Sequence, residues 1–214
     1  MKSVIIGAHL MRDDVEPLAA ALPVSDLFLS ALEVADDQPV GDRELLLRVA
    51  DVRAKLLDVA TFVAIRYGFT AASATEASAK TAVHHERWKK LLTANRENVE
   101  MTLKVAANST TPRPDRHDFT SGADYLRALH ATMTAAHVDP DFRAAADRLL
   151  VPLAVKHRWM HRDEKSVELA LLVPRSAVDD IHARGEELRR TSVPFLLSGP
   201  WPLEVFADEG EIEN

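Results

Sequence analysis

No cysteine occurs in the 214 residues of this chain. That excludes a disulfide framework, cysteine-based zinc sites, iron–sulfur clusters and thiol catalysis together. A cytoplasmic setting is the default expectation for such a chain. Glycine is scarce too, at seven residues. No Gly-x-Gly-x-x-Gly and no Gly-x-x-x-x-Gly-Lys-Ser/Thr run is present, so the chain has little means of laying backbone against a phosphate. Nor is there a Gly-x-Ser-x-Gly turn to hold a hydrolase nucleophile. Long apolar runs are missing as well, and none approaches the ~20 residues that span a bilayer. The apolar part of Met1–Gly7 is too short for a signal peptide, and Arg12-Asp13-Asp14 follows at once. Excess basic charge is also lacking. The net charge is −7, which offers no global positive field to nucleic acid or anionic lipid.

What is present is ordinary globular composition, 47% apolar and 28% charged. A chain of this length makes one large domain or two small ones and buries roughly 70% of its unfolded surface. Ser3–His9 and Leu27–Val34 read as strands, with a short helix expected at Val15–Leu22 between them. Asp42 is placed to cap a helix in which Leu45, Val49, Val52, Leu56 and Val59 recur at spacings of four and three. That stripe fits a helix packed on a sheet or, over two heptads, a coiled-coil seam. Phe62–Tyr67 reads as a strand and Thr75–Asn95 as a helix with Ala79, Val83, Trp88 and Leu91 near one side.

Val99, Met101, Leu103 and Val105 alternate with Glu100, Thr102 and Lys104, which predicts a strand with one buried and one wet face. Asn108–Ser121, with Pro112, Pro114 and a small basic patch at Arg113, Arg116 and His117, reads as a connection. Helices follow at Gly122–Met133, with Tyr125, Leu126, Leu129 and Met133 together, and from Asp139-Pro140 onward, with Phe142, Ala146, Leu149 and Leu153 in register. Pro152 should kink or break the second of these. Ser166–Val173 is a predicted strand. Ser176 is placed to cap a helix that carries Val178, Ile181 and Leu188 and ends near Arg190. Val193–Leu197 is the last predicted strand, and Asp208–Asn214 an acidic tail. The mixed order of short elements favours an α+β fold of two small mixed sheets backed by helices, divided as residues 1–95, 96–207 and the tail 208–214.

His157 and His161 stand four apart on an expected helix, a spacing that can share a metal. The intervening Arg-Trp-Met carries no glutamate base, and basic neighbours oppose a cation, so a solvated face competes with that reading. His84-His85-Glu86 offers no single site, because adjacent helical residues point about 100° apart. Paired carboxylates at Asp13-Asp14, Asp36-Asp37 and Asp179-Asp180 sit at loops or helix starts, where the helix dipole favours them.

One segment fits none of these patterns. In Leu196-Leu197-Ser198-Gly199-Pro200-Trp201-Pro202, two prolines fix φ on either side of a tryptophan, and Gly199 permits a turn closed to other residues. It reads as a corner that aims Trp201, either into a core or, with Phe206, into a binding groove.

The same residues resemble the gas vesicle protein F/L family, whose C-terminal pattern is a strand running into Gly-Pro-Trp-Pro-Pro-Tyr-x-Phe. This chain matches through Pro202 and again at Phe206, with Leu203 and Glu204 in place of the second proline and the aromatic. Ser121-Gly122-Ala123-Asp124-Tyr125-Leu126 resembles the family's Gly-x-x-Tyr-Leu helix start. Ala64-Ile65-Arg66-Tyr67-Gly68 resembles its Pro-Val-Arg-Phe-Gly strand end. Order and spacing agree from about Phe62 to Phe206.

The resemblance implies two α+β domains, the first ferredoxin-like, and a non-enzymatic accessory role in assembling gas vesicles, with no cofactor and no metal. The implied partners are the very apolar shell protein and other vesicle accessory proteins, met in the cytoplasm at the vesicle. The implied partner-binding residues are Arg66, Tyr67, Gly68, Tyr125, Gly199, Pro200, Trp201, Pro202 and Phe206. A small-molecule-sensing or protein-interaction module with ferredoxin-like halves, unrelated to vesicles, is the competing reading.

Overall fold

The structure is a computed structural model that describes residues 1–10, 13–107, 114–135, 138–163 and 165–207. The acidic tail, Arg113 and the side chain of Met133 lie outside the described residues. The fold is α+β and divides into two compact units. The first is Met1–Val99 with the stretch from Pro200 onward, and the second is Glu100–Gly199.

In the first unit, β1 (Lys2–His9), β2 (Ala20–Val24), β3 (Leu27–Val34) and β4 (Phe62–Ala64) form a sheet in the order β2-β3-β1-β4, and the short β5 (Thr70–Ala71) also pairs with β1. Strand β1 pairs antiparallel with β3, β4 and β5, and β2 pairs antiparallel with β3. The register of β1 against β3 slips between Ile5 and Gly7. A one-residue slip exchanges faces, which lets Ile5 and Ala8 enter the same core cluster despite their odd spacing. That cluster also takes Leu29, Ala31 and Ile65. Partly buried Trp88 packs against it. Gly7 is required at the slip because a Cβ there would strike the Phe62 ring.

Strand β2 occupies ground where a helix was expected. Val15 is buried, but Pro17 and the turn that follows stop the chain from coiling, and Ala20–Val24 pairs with β3 instead. Helix α1 (Arg43–Val59) begins as its sequence predicts, with the Asp42 side chain accepting from the Glu44 amide. It buries Leu45, Val49, Val52, Leu56 and Leu57, while Val59 turns outward. Each such side chain is worth at most about 1.5–3 kcal/mol when fully buried. The stripe therefore goes into the unit's own core rather than into a coiled-coil seam.

The helix expected over Thr75–Asn95 is two helices, α2 (Ala74–Thr81) and α3 (His85–Ala94), separated by a 3₁₀ turn at Ala82–His84. The tighter turn shifts the helical phase. Ala77, Thr81 and Leu92 are buried, and Val83 is 83% exposed. Ser73 and Glu76 form a reciprocal cap, Glu76 N donating to Ser73 Oγ and Ala72 N to the Glu76 carboxylate. Asp26, in the tight turn between β2 and β3, accepts from Lys89 and lies 2.8 Å from His85 Nε2, which ties that turn to α3.

Strands β6 (Asn98–Ala106), β7 (Lys156–Asp163), β8 (Ser166–Pro174) and β9 (Phe195–Trp201) make a second sheet in the order β7-β8-β6-β9, which belongs to the second unit except for Asn98 and Val99 at one end of β6 and Pro200 and Trp201 at one end of β9. Met101, Leu103 and Val105 of β6 are buried as alternation predicts, but so is Glu100, at 3% exposed, which the pattern placed on a wet face. Alternation identifies two faces; it does not say that one of them stays in water. Helix α4 (Gly122–Ala135) begins at the expected glycine, with Asp124 N donating to Ser121 Oγ.

Helix α5 (Pro140–Leu150) buries Phe142, Ala145, Ala146 and Leu150 and gives way at Pro152 to a 3₁₀ turn. Helix α6 (Val178–Leu188) buries Ile181, Gly185 and Leu188. Ser176 does not cap it, since a 3₁₀ turn at Arg175–Ala177 leads in and Ala177 holds the cap position. No helix among the described residues is long and apolar enough to cross a membrane.

Gly199 lies within β9 at φ +126°, and a Cβ there would sit 2.6 Å from Met101 Sδ and 2.9 Å from the Glu100 carbonyl oxygen. Gly199→Ala is expected to cost roughly 2–4 kcal/mol in urea unfolding, from backbone strain and overpacking together. Gly185→Ala should cost less, because its Cβ meets only the flexible end of Leu197.

The hydrogen bond from Lys89 holds the Asp26 carboxyl below its ordinary value of 3.8. A depressed carboxyl stabilises the fold above its unfolded pKa, and that contribution fades as pH falls through the folded value. Asp26→Asn should therefore lower the urea midpoint at pH 7, and the two proteins should converge in strongly acidic solution.

Candidate functional site

The expected site residues fall into three places. Tyr125 is in the second unit, half-buried at the start of α4, with its ring edge-on to Phe119 at 5.9 Å and the Arg116 guanidinium 5.8 Å from its centroid. Phe206 is buried at 4% exposed, so it does not line a groove. Arg66, Tyr67, Pro200, Trp201 and Pro202 come together on the first unit.

Their placement starts from the backbone. Strand β9 does not stop before the Gly-Pro-Trp-Pro corner, as the sequence suggested, but runs through it to Trp201. The second sheet ends at β9, and an edge strand can accept Pro200 because a missing N–H there breaks no ladder. The chain then reaches Leu203, which bridges to Val63 of β4 in the parallel sense. Leu203 N donates to the Phe62 carbonyl at 2.9 Å, and Ala64 N donates to the Leu203 carbonyl at 3.4 Å. Leu203 is fully buried. This segment covers the free edge of β4.

With Leu203 pinned, Trp201 is 47% exposed. It lines an open groove of about 460 Å³ together with Pro200, Pro202 and the Leu46, Ala50 and Leu57 side of α1. Leu46 and Leu47 are also exposed, at 43% and 61%. Apolar surface gathered beside an exposed tryptophan marks an interaction surface more often than scattered exposed leucines do. Tyr67 closes one end, with its hydroxyl donating to the Val40 carbonyl. Gly68, at φ +95°, turns the chain directly after it.

His157 and His161 lie on strand β7, not on a helix, and both are exposed. Four residues along a strand span roughly 13 Å, too far for one metal. Among the described residues, no group of three or more His, Asp or Glu is placed to hold a metal ion. His84 stacks on Trp88 at 5.1 Å.

The family model described as gas vesicle synthesis protein GvpL/GvpF matches residues 16–207. The chain belongs to the GvpL/GvpF family. The crystal structure of gas vesicle protein GvpF from Microcystis aeruginosa is similar with a TM-score of 0.68 at 10% identity, over 97% of this chain and 99% of that one. GvpF from Anabaena sp. PCC7120 is similar with a TM-score of 0.67 at 12% identity, over 97% of this chain and 96% of that one. At such identities the likeness shows the GvpF fold and nothing finer. A search among curated proteins returned no match.

The corner gives a clean contrast between neighbours. Trp201→Ala should cost only about 1–2 kcal/mol and leave the GvpL/GvpF fold intact, because half the indole is already in water. Leu203→Ala, two residues on and fully buried, should cost about 2–5 kcal/mol. Paired urea titrations measure both.

Proposed function

We propose that this protein is a non-enzymatic assembly factor that holds the gas vesicle shell protein through the groove between α1 and Pro200–Pro202. The observation that supports this is the exposed Trp201, held by a proline on each side over an apolar helix face. A side chain restrained in that way loses little entropy on binding, which suits it to anchor a partner. The family supplies the setting, gas vesicle synthesis. A very apolar shell protein needs its faces covered before it assembles, and an apolar groove is the complementary surface.

Docking of a helix in the groove fits better than strand addition. Of the outer strands, β4 is taken by the chain's own Leu203, β2 and β9 carry Pro23 and Pro200, and β7 presents Lys156, His157 and Arg158, all features of the kind that discourage edge pairing. On this reading the protein works in the cytoplasm, at the growing vesicle.

The test is co-expression and capture of the shell protein by Trp201→Ala and Leu46→Asp variants whose circular dichroism is unchanged. Capture should fall about tenfold or more in each, as expected for loss of a central anchor. Undiminished capture by both folded variants would sink the groove as the docking site.

A further inference from the structure

A second cleft of the first unit lies along β4 and α3, with a volume of about 640 Å³. It brings Arg53, Arg66 and Arg87 together, with a single carboxylate, Glu204, among its lining residues. In a chain of net charge −7, this is a local inversion of sign.

Each guanidinium has a different status. Arg53 is half-buried on α1, and its Nη2 donates to the Ile6 carbonyl at 3.4 Å and more closely to the Ile65 carbonyl. Burial lowers the Arg53 pKa, and the Glu204 carboxylate pulls it the other way. Arg87 donates to the Ala207 carbonyl. Arg66 stands exposed, and its side chain is in no ion pair or hydrogen bond among the described residues. The walls are apolar and aromatic. They include Val63, Ile65, Leu203 and Trp88, the last of these carrying the stacked His84.

We propose that this cleft binds the carboxylate of an acidic peptide segment, a Glu or Asp side chain flanked by an apolar or aromatic residue. A planar fork of donors matches a carboxylate in two parallel hydrogen bonds, and the aromatic wall takes the neighbouring side chain. Two features favour a peptide carboxylate over a phosphate. No glycine lines the cleft, so there is no concave run of backbone amides for a phosphate to enter. Two of the three guanidinium groups are also tethered to backbone carbonyls, Arg53 with Glu204 as a counter-charge, which leaves the exposed fork of Arg66 to take a single carboxylate.

The experiment is calorimetric titration of the full chain with N-acetyl-Leu-Glu-Phe-Glu-amide, with the same peptide carrying Gln for Glu, and with inorganic phosphate. At low salt the Glu peptide should bind about tenfold more tightly than the Gln peptide, and that margin should shrink in Arg66→Gln, whose parent side chain is exposed and holds up no structure. Equal affinity for the two peptides, no binding of either, tighter binding of phosphate than of the Glu peptide, or an unchanged margin in Arg66→Gln would each overturn the assignment. The peptide comparison needs no vesicle protein, and shell-protein capture turns on Trp201 and Leu46. Either reading can therefore fail alone.

Discussion

The pairing of Leu203 with β4 is the constraint on which the candidate surfaces depend. It amounts to two backbone hydrogen bonds and one buried side chain. Because Leu203 is excluded from water, those bonds sit in a low dielectric, where breaking them would leave polar groups unsatisfied. Fixing Leu203 limits where its neighbours can go. Pro202 and Glu204 turn away from the core, Trp201 is held over α1, and Phe206 returns to the interior. The groove owes one wall to Pro200–Pro202, and the cleft owes Leu203, Glu204 and Ala207 to the same segment. The closure also removes β4 as a template for pairing with other chains.

Gly199 is what lets the chain enter that segment. Two independent restrictions meet there: a positive φ, and the approach of Met101 and the Glu100 carbonyl to where a Cβ would be. Either alone would favour glycine; together they admit nothing larger. The proline that follows is tolerated because β9 lies at the sheet edge. So the Gly-Pro-Trp-Pro sequence is better understood as the end of an edge strand than as a free-standing corner.

Periodicity made the well-buried elements legible. The stripe of α1 and the alternation of β6 each mark a face turned to a core, while β1, β3 and β8 stand out as short apolar runs, and these elements are found where the sequence places them. The misreadings share a physical cause. Strand β2 is short, follows Pro17 and contains Pro23, so its few apolar residues fit a helix as readily as a strand. Strand β7 is a sheet edge dressed in Lys156, His157 and Arg158, and an exposed edge has no burial pattern to display. The 3₁₀ turn at Ala82–His84 shifts the phase of a pattern that looks continuous in the sequence, and Val83, which that pattern puts near the side of Ala79 and Trp88, is exposed. The site was legible only in part. Trp201 and Tyr67 announce themselves through prolines and a turn glycine. Arg53, Arg87 and Glu204 carry no local signal, because only the folded backbone brings residues so far apart in sequence to one cleft.

The two positions where this chain leaves the family's C-terminal pattern are then informative. The pattern has proline after Pro202, and proline has no N–H. Leu203 does have one, and it donates that N–H to the Phe62 carbonyl. The next position is aromatic in the pattern and Glu204 here, and its carboxylate lines the cleft with Arg53, Arg66 and Arg87 and works against the desolvation of Arg53. The first change adds a backbone bond at the closure of β4, and the second adds a counter-charge beside a half-buried cation. Both act on the same few ångströms of chain, and both strengthen contacts within the first unit. In this chain both residues therefore serve the Leu203 bridge, while Trp201, on the open side, keeps the tryptophan of the pattern.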